Sequence, residues 1–164
     1  MTGSILQISI SPGGLPKRPI PEGYITPLGL EGDDHAHPQF HGGPTKAILI
    51  IAAEVLDELK AGGYPVFYGA MGENLTTRGI DYRQLRIGDQ LRAGGALLEI
   101  TQTRVPCSQL DVYGASLKTD IWDRQVKAGD YTSPRWGMSG FKCSVPQSGP
   151  VRLGDIIAVV AKLA

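Results

Sequence analysis

Apolar and polar side chains alternate along much of this chain, which predicts short β-strands as its main elements. In the segment from residue 5 to residue 10, Leu6, Ile8 and Ile10 fall on one face, as in a half-buried strand. Tyr24 to Leu28 predicts another short strand, at the edge of a sheet because its proline cannot donate a ladder hydrogen bond. These patterns favour a mainly β fold.

Two segments are typical of helices. The apolar run Ala47–Ile51 predicts a strand buried on both faces. It leads into residues 52–60, where apolar side chains at helical spacing predict a helix that Gly62–Gly63 ends. A second helix is predicted from Ser116, as its N-cap, to Val126.

The segment that ends at Cys107 predicts a hairpin that runs out into a loop. Gly94–Gly95 is a turn signal, so residues 90–105 predict a two-stranded ribbon, with Val105 still in the strand. Pro106 cannot donate to a ladder, and we expect it to end the strand. The ribbon would thereby hold Cys107 on a stiff backbone.

Two short segments share one pattern. Leu85–Leu91 and Val151–Ile157 both read apolar–Arg–apolar–Gly–Asp–x–apolar, and each precedes a strand. We interpret them as turns in which glycine takes the unusual dihedral angles and aspartate accepts hydrogen bonds from nearby amides. They indicate a β-barrel built from two loosely similar pieces.

Composition limits the classes of function. The 164 residues predict one domain, residues 1–164, with a core at about 5–160. Sixteen basic and sixteen acidic residues give no net charge, so we expect neither nucleic acid nor an anionic membrane as a partner. Neither a signal peptide nor an apolar run of membrane-spanning length is visible, which favours the cytoplasm. Cys107 and Cys143 do not make a disulfide framework, and Cys143 alternates into the core of a strand predicted at Phe141–Val145.

The most polar segment is Gly29–Gly43, which contains all three histidines of the chain. A loop so rich in glycine and polar side chains is typical of a binding loop or of a solvated turn. The spacing of His35, His37 and His41 admits a zinc site, but nothing at regular spacing elsewhere completes a ligand set.

Arg104 and Cys107 form the strongest chemical pair in the sequence. A guanidinium near a thiol favours the thiolate, which is the nucleophilic and metal-binding form. The alternative for an isolated cysteine at a strand end is a small buried side chain. Residue types alone leave both interpretations open.

Five patterns, in this order, resemble the MOSC domain family, named for the C-terminal domain of molybdenum cofactor sulfurase. They are Gly29-x-x-Gly32-Asp33, His41–Gly42–Gly43 followed by Lys46, Gly72–Glu73–Asn74–Leu75, Ile87–Gly88–Asp89 and Arg104-x-Pro106–Cys107. The resemblance spans about residues 5–160 and is to the small, stand-alone bacterial members. It implies a MOSC-type barrel-like β fold with a few helices.

The resemblance also implies a site for molybdenum cofactor (molybdopterin), with Cys107 as the catalytic residue and molybdenum ligand. We expect Arg104, Lys46 and Arg86 as candidates for its phosphate, with Gly42–Gly43 as an anion-binding backbone. Asn74 and Glu73 would pair with pterin edges, and His41 is a further candidate contact. Pyridoxal phosphate binding is implied only as a family-level term.

Three functions follow as hypotheses. The first is an oxidoreductase that reduces N-hydroxylated small molecules and receives its electrons from a separate redox protein. This hypothesis is compatible with a homodimer. The second is a carrier of persulfide sulfur or of the cofactor on Cys107. The third, with the least support, is a cysteine hydrolase in which a histidine acts as base.

Overall fold

Seven strands close into a barrel in the computed structural model, which describes residues 1–34 and 42–162. In chain order the strands are β1 (Thr2–Ile10), β2 (Arg18–Ile20), β3 (Glu22–Thr26), β4 (Gly29–Leu30), β5 (Ile48–Ala52), β6 (Leu75–Arg78), β7 (Gln90–Ala93), β8 (Ala96–Thr103), β9 (Phe141–Gln147), β10 (Gly149–Arg152) and β11 (Ile156–Ala161). Around the barrel the order is β11, β7, β8, β9, β5, β6 and β1, and β1 pairs back with β11. The predicted mainly β, barrel-like fold is confirmed.

The second sheet joins β10, β3 and β4 in that order. The prediction that the strand near Tyr24 to Leu28 lies at a sheet edge is therefore wrong. That strand, β3, is the central one and pairs with β10 on one side and β4 on the other. Pro27 lies beyond the end of β3 and so removes no ladder hydrogen bond.

The helices are short: α1 (Ala53–Ala61), α2 (Leu117–Ile121) and α3 (Arg124–Lys127), with 3-10 turns at Tyr82–Gln84 and Ser108–Tyr113. Helix α1 connects β5 to its parallel neighbour β6 and ends at Gly62, as predicted.

The single helix predicted from Ser116 to Val126 is wrong. Trp122 is extended, and Asp123 begins α3 by accepting a hydrogen bond from the Val126 amide at 2.8 Å. Aspartate competes for backbone amides in this way and favours helix starts over helix interiors. The helical spacing of apolar residues is therefore divided between two helices. Ser116 makes no side-chain cap.

The simple alternation expected in β1 is also wrong. Ile5 and Ile8 are fully buried, whereas Leu6 and Ile10 are only partly buried. The pairing of β1 with β6 shifts between Ile5 and Gln7, as at a β-bulge. An extra residue at a bulge changes which side chains face inward, so the strict period of two is lost.

The two turns of shared sequence are equivalent in structure, as predicted. Asp89 Oδ2 accepts a hydrogen bond from the Arg86 amide at 2.8 Å, and Asp155 Oδ2 accepts one from the Arg152 amide at 2.8 Å. The glycines have positive φ: +94° at Gly88 and +86° at Gly154. The strands that follow the turns, β7 and β11, pair with each other.

The barrel interior is apolar, and Cys143 lies fully buried within it, which confirms its predicted place in the core. Burial raises the pKa of the Cys143 thiol, so this cysteine stays protonated and unreactive. None of the helices in residues 1–34 and 42–162 has the length and hydrophobicity that a membrane span requires.

Candidate functional site

A cleft opens at one end of the barrel, where the chain leaves β1 and β8 and enters β5, β6 and β9. Its lining includes Cys107, Asn74 and four basic residues, namely Lys17, Lys46, Arg104 and Lys142. The sequence placed Cys107, Arg104, Lys46 and Asn74 among the candidate site residues, and the structure brings these four together.

Cys107 reaches the cleft because β8 ends at Thr103 and the next residues turn across the barrel end. Its backbone is extended, and a 3-10 turn begins directly after it, with the Leu110 amide donating to the Cys107 carbonyl at 3.1 Å. Its side chain is partly exposed, so it is open to a ligand or reagent. The expectation that Val105 belongs to the strand is wrong: Val105 lies beyond β8 and is 60% exposed.

Arg104 is buried at the floor of the cleft and is held rigidly. Its Nη2 donates to the Met71 carbonyl at 2.7 Å, its amide donates to the Gly140 carbonyl at 3.0 Å, and Ser139 Oγ donates to its own carbonyl at 2.6 Å. Nη1 is buried and has no hydrogen-bond partner among the described residues. A buried donor of this kind is rare, and in a cleft it indicates a place for an acceptor of a ligand.

The electrostatics of Arg104 agree with its position. Burial lowers the pKa of its guanidinium, and the negative charges that Cys107 and Glu73 can carry oppose this effect. Arg104 and Cys107 therefore interact electrostatically, as their spacing in the sequence suggested.

Lys142 is a cleft residue that the sequence analysis missed. It lies on β9, where its register partners are Leu49 on β5 and Gln102 on β8. The alternation that places Cys143 in the core puts Lys142 on the opposite side, and this signal could have identified it. Burial, followed by the neighbouring positive charges of Arg104, Lys17 and Lys46, lowers the pKa of Lys142 to about 8, and Cys107 opposes the shift.

Lys17 differs from the other cations because its charge is neutralised locally. Its Nζ lies 2.6 Å from Asp33 Oδ1, and both side chains are almost wholly buried. Asp33 also accepts hydrogen bonds from the Ser11 amide at 2.9 Å and from Asn74 Nδ2 at 2.8 Å. The aspartate of the Gly29-x-x-Gly32-Asp33 pattern thus connects three segments at the wall of the cleft.

Asn74 and Glu73 use their polar atoms to hold the protein together. Asn74 Oδ1 accepts from the Leu49 amide at 3.0 Å, and its Nδ2 also donates to the Ser9 carbonyl at 3.3 Å. Glu73 is fully buried and accepts hydrogen bonds from the Gly69 amide, the Met71 amide and Thr76 Oγ1. Burial raises the pKa of Glu73, and these hydrogen bonds oppose that shift. Their contacts with a pterin stay predictions.

The loop before β5 contains Gly42 and Gly43, which have φ of +82° and +87°, as an amide-lined turn requires. The Lys46 amide donates to the Gly43 carbonyl at 3.0 Å, and the Lys46 side chain lines the cleft. His41, and with it the histidine loop and its zinc alternative, lies outside the described residues. Within the described ranges no group of three or more His, Cys, Asp or Glu side chains is placed to hold a metal ion.

Arg86, the third candidate for phosphate, lies elsewhere. Its guanidinium stacks on the Tyr131 ring at 3.9 Å and its Nη1 donates to the Arg83 and Leu85 carbonyls. It does not line the cleft.

Comparisons with known proteins indicate the domain family and the fold. The family model of the MOSC domain matches residues 37–158. The chain is 36% identical over 97 residues to protein YiiM of Escherichia coli strain K12, covering 54% of this chain and 42% of YiiM. It is 35% identical over 136 residues to the uncharacterised protein YflK of Bacillus subtilis strain 168, covering 81% of this chain and 56% of YflK. The chain therefore spans about half the length of these two relatives.

Two further similarities bear on activity and fold. A protein named "Reductase" from Gibberella moniliformis is 28% identical over 144 residues, which cover 85% of this chain and 24% of that protein. The crystal structure of YiiM from Geobacillus stearothermophilus superposes with a TM-score of 0.72 at 24% identity, covering 97% of this chain and 75% of that one. The structural likeness establishes a shared fold.

Proposed function

Because the chain belongs to the MOSC domain family, we propose that its cleft binds molybdenum cofactor, with the Cys107 thiolate as a ligand of molybdenum. The observation that carries the proposal is the pairing of Cys107 with a buried Arg104 whose Nη1 has no acceptor among the described residues. A thiolate suits a soft metal centre, and a guanidinium suits an anionic cofactor.

The chemistry of the cleft residues fits this cofactor. Molybdopterin has a dithiolene and a phosphate, and a protein with no net charge needs local cations to hold them. Lys46, Arg104 and Lys142 provide those cations, and Cys107 provides the sulfur ligand. Asp33 and Asn74 hold the surrounding segments in place, and the contact of Asn74 with a pterin edge stays a prediction.

We further propose that the activity is reduction of N-hydroxylated compounds such as amidoximes, hydroxylamines and hydroxylated purines. Converting an N–OH group to N–H consumes two electrons and two protons and releases water. The bound cofactor would supply the electrons, which a separate redox protein would replace. The relative named "Reductase" supports a redox activity in general and leaves the substrate to be tested.

A second candidate is transfer of sulfur, with Cys107 as a persulfide. The partial exposure of Cys107 favours it, because a sulfur donor must reach the thiol. After incubation with a cysteine desulfurase, a carrier would gain the mass of one sulfur atom at Cys107. The hydrolase hypothesis stays a prediction, because the histidines it needs as a base lie outside the described residues.

The proposal is tested by purifying the protein from a host that makes the cofactor and measuring bound molybdenum, bound pterin and reduction of an N-hydroxylated purine. We expect the wild type to retain both and to catalyse the reduction. Cys107→Ala should abolish turnover, whereas Cys143→Ala should retain it because Cys143 faces the barrel core. Folded wild-type protein without molybdenum and pterin would overturn the proposal.

A further inference from the structure

Cys107 lies in a loop that runs from Arg104, directly after β8, to Tyr113, the last residue of a 3-10 turn. At the start of this loop, Arg104 Nη2 donates to the Met71 carbonyl at 2.7 Å. At its end, the Tyr113 hydroxyl donates to the Ala70 carbonyl at 2.6 Å. Adjacent carbonyls of one turn therefore hold both ends of the Cys107 loop.

The turn that accepts both hydrogen bonds is itself held by Glu73. The carboxylate of Glu73 is fully buried and accepts from the Gly69 amide at 2.9 Å and from the Met71 amide at 3.2 Å. The turn also closes on itself, because the Gly72 amide donates to the Gly69 carbonyl at 3.2 Å. A shift of this turn would leave buried donors and a buried carboxylate without partners, which is costly. It is therefore a firm support for the loop.

The ring of Tyr113 is packed so that its hydroxyl reaches the turn. It meets the Phe67 ring edge to face, with centroids 6.3 Å apart, and packs against the apolar cluster in which Leu110 is fully buried. Burial, and after it the charge of Glu73, raises the pKa of Tyr113, so the hydroxyl keeps the proton that it donates. The contact with Ala70 thus joins a packed ring to a fixed turn.

The backbone connects Tyr113 to Cys107 through the 3-10 turn between them. The Leu110 amide donates to the Cys107 carbonyl at 3.1 Å, and the Gly114 amide donates to the Asp111 carbonyl at 3.0 Å. Cys107 is partly exposed, so packing constrains it less than it constrains a core residue. A change at the Tyr113 end of the turn would therefore be passed on to Cys107.

We propose that Tyr113 is a positioning residue for Cys107, because its hydrogen bond to Ala70 holds the 3-10 turn, and with it the sulfur, in place relative to Arg104. The inference rests on the proposed function only for the use of this placement, which is to present the sulfur to the cofactor. A metal or catalytic group must be held within about 0.5 Å to work well. The attachment itself concerns this chain alone.

Protein without cofactor gives the first test, with Tyr113→Phe, which keeps the ring and removes the hydroxyl. We expect the Leu110 and Gly114 amides to exchange hydrogen about fivefold faster, the factor that loss of about 1 kcal/mol gives, while the amides of β9 keep their protection. Tyr131→Phe, the same change at an exposed tyrosine outside the cleft lining, should alter neither.

The same protein also reports on the thiol itself. Alkylation of Cys107 by iodoacetamide is measured at a pH above which the rate no longer rises, so that the rate reports access to the sulfur. It should rise about two- to fivefold in Tyr113→Phe and stay unchanged in Tyr131→Phe. Cys143, which is fully buried, should stay unmodified and so show that the barrel is intact.

In cofactor-loaded protein of equal molybdenum content, Tyr113→Phe should lower kcat about tenfold and leave KM within about twofold, because a misplaced group slows the reaction without removing substrate contacts. Unchanged amide exchange, or faster exchange with unchanged alkylation, would overturn the inference even if wild type binds molybdenum. Faster exchange and alkylation in Tyr113→Phe, with a folded wild type that never takes up molybdenum, would overturn the proposed function and leave the positioning role intact.

Discussion

Replacing Lys142 with methionine should stabilise the protein without its ligand at neutral pH. The pKa of Lys142 falls from 10.5 to about 8 because burial and the charges of Arg104, Lys17 and Lys46 disfavour its protonated form, while Cys107 favours it. Each tenfold change in proton affinity is worth about 1.4 kcal/mol, so protonated Lys142 destabilises the folded state by about 3 kcal/mol. Screening by solvent reduces this penalty to about 2 kcal/mol. Methionine keeps most of the aliphatic stem and removes the charge.

The pH dependence follows from the direction of the shift. Below pH 8 both folded and unfolded chains hold the proton, so the wild type bears the full penalty. Between pH 8 and 10.5 the folded chain releases a proton that the unfolded chain keeps, and the stability of the wild type rises relative to Lys142→Met. The advantage of the variant should therefore shrink and disappear above pH 10.5.

Urea unfolding of wild type, Lys142→Met and Lys127→Met at pH 7, 8.5 and 10 measures this difference. Lys127→Met is the matched control because its lysine is exposed. An advantage of Lys142→Met that is absent at pH 7, or that does not change with pH, would refute the electrostatic reasoning.

Three other substitutions test how the cleft and barrel are held. Gly140→Ala should destabilise by about 2 kcal/mol or more, because a Cβ would lie 2.4 Å from the Ile50 carbonyl oxygen at a φ of +87°; a neutral effect in urea unfolding would contradict this. Glu73→Gln should cost about 1–3 kcal/mol, since one amide oxygen replaces a carboxylate that accepts three hydrogen bonds; unchanged thermal unfolding would argue against that role. Asp155→Ala should lower the free energy of unfolding by about 1 kcal/mol, because the Arg152 amide loses its hydrogen bond to the Asp155 carboxylate. An unchanged free energy of unfolding would show that this turn needs no side-chain acceptor.

The elements that depend on short-range signals could be predicted from the sequence. The glycine pair at 94–95 forms the hairpin, and Gly62 ends α1. The two Arg–x–Gly–Asp turns also formed as expected, because glycine and aspartate determine such turns locally. The place of Cys107 beyond a strand end follows from its neighbouring proline in the same way.

The features that depend on long-range pairing could not be predicted. The bulge in β1 arises from its register with β6, and neither Ile5 nor Gln7 is a residue type that predicts a bulge. The ion pair of Lys17 with Asp33 joins residues sixteen positions apart, which only the folded chain brings together. The orientation of Lys142 could have been predicted. The alternation in β9 that buries Cys143 places the adjacent Lys142 on the opposite face of the strand.

Cys107 is the proposed molybdenum ligand, and X-ray absorption at the molybdenum edge of the loaded protein tests this role most directly. Wild type and Cys143→Ala should show a cysteine sulfur in addition to the two sulfurs of the dithiolene. Cys107→Ser, prepared with the same cofactor content, should show one sulfur fewer. Identical sulfur coordination in wild type and Cys107→Ser would contradict the claim.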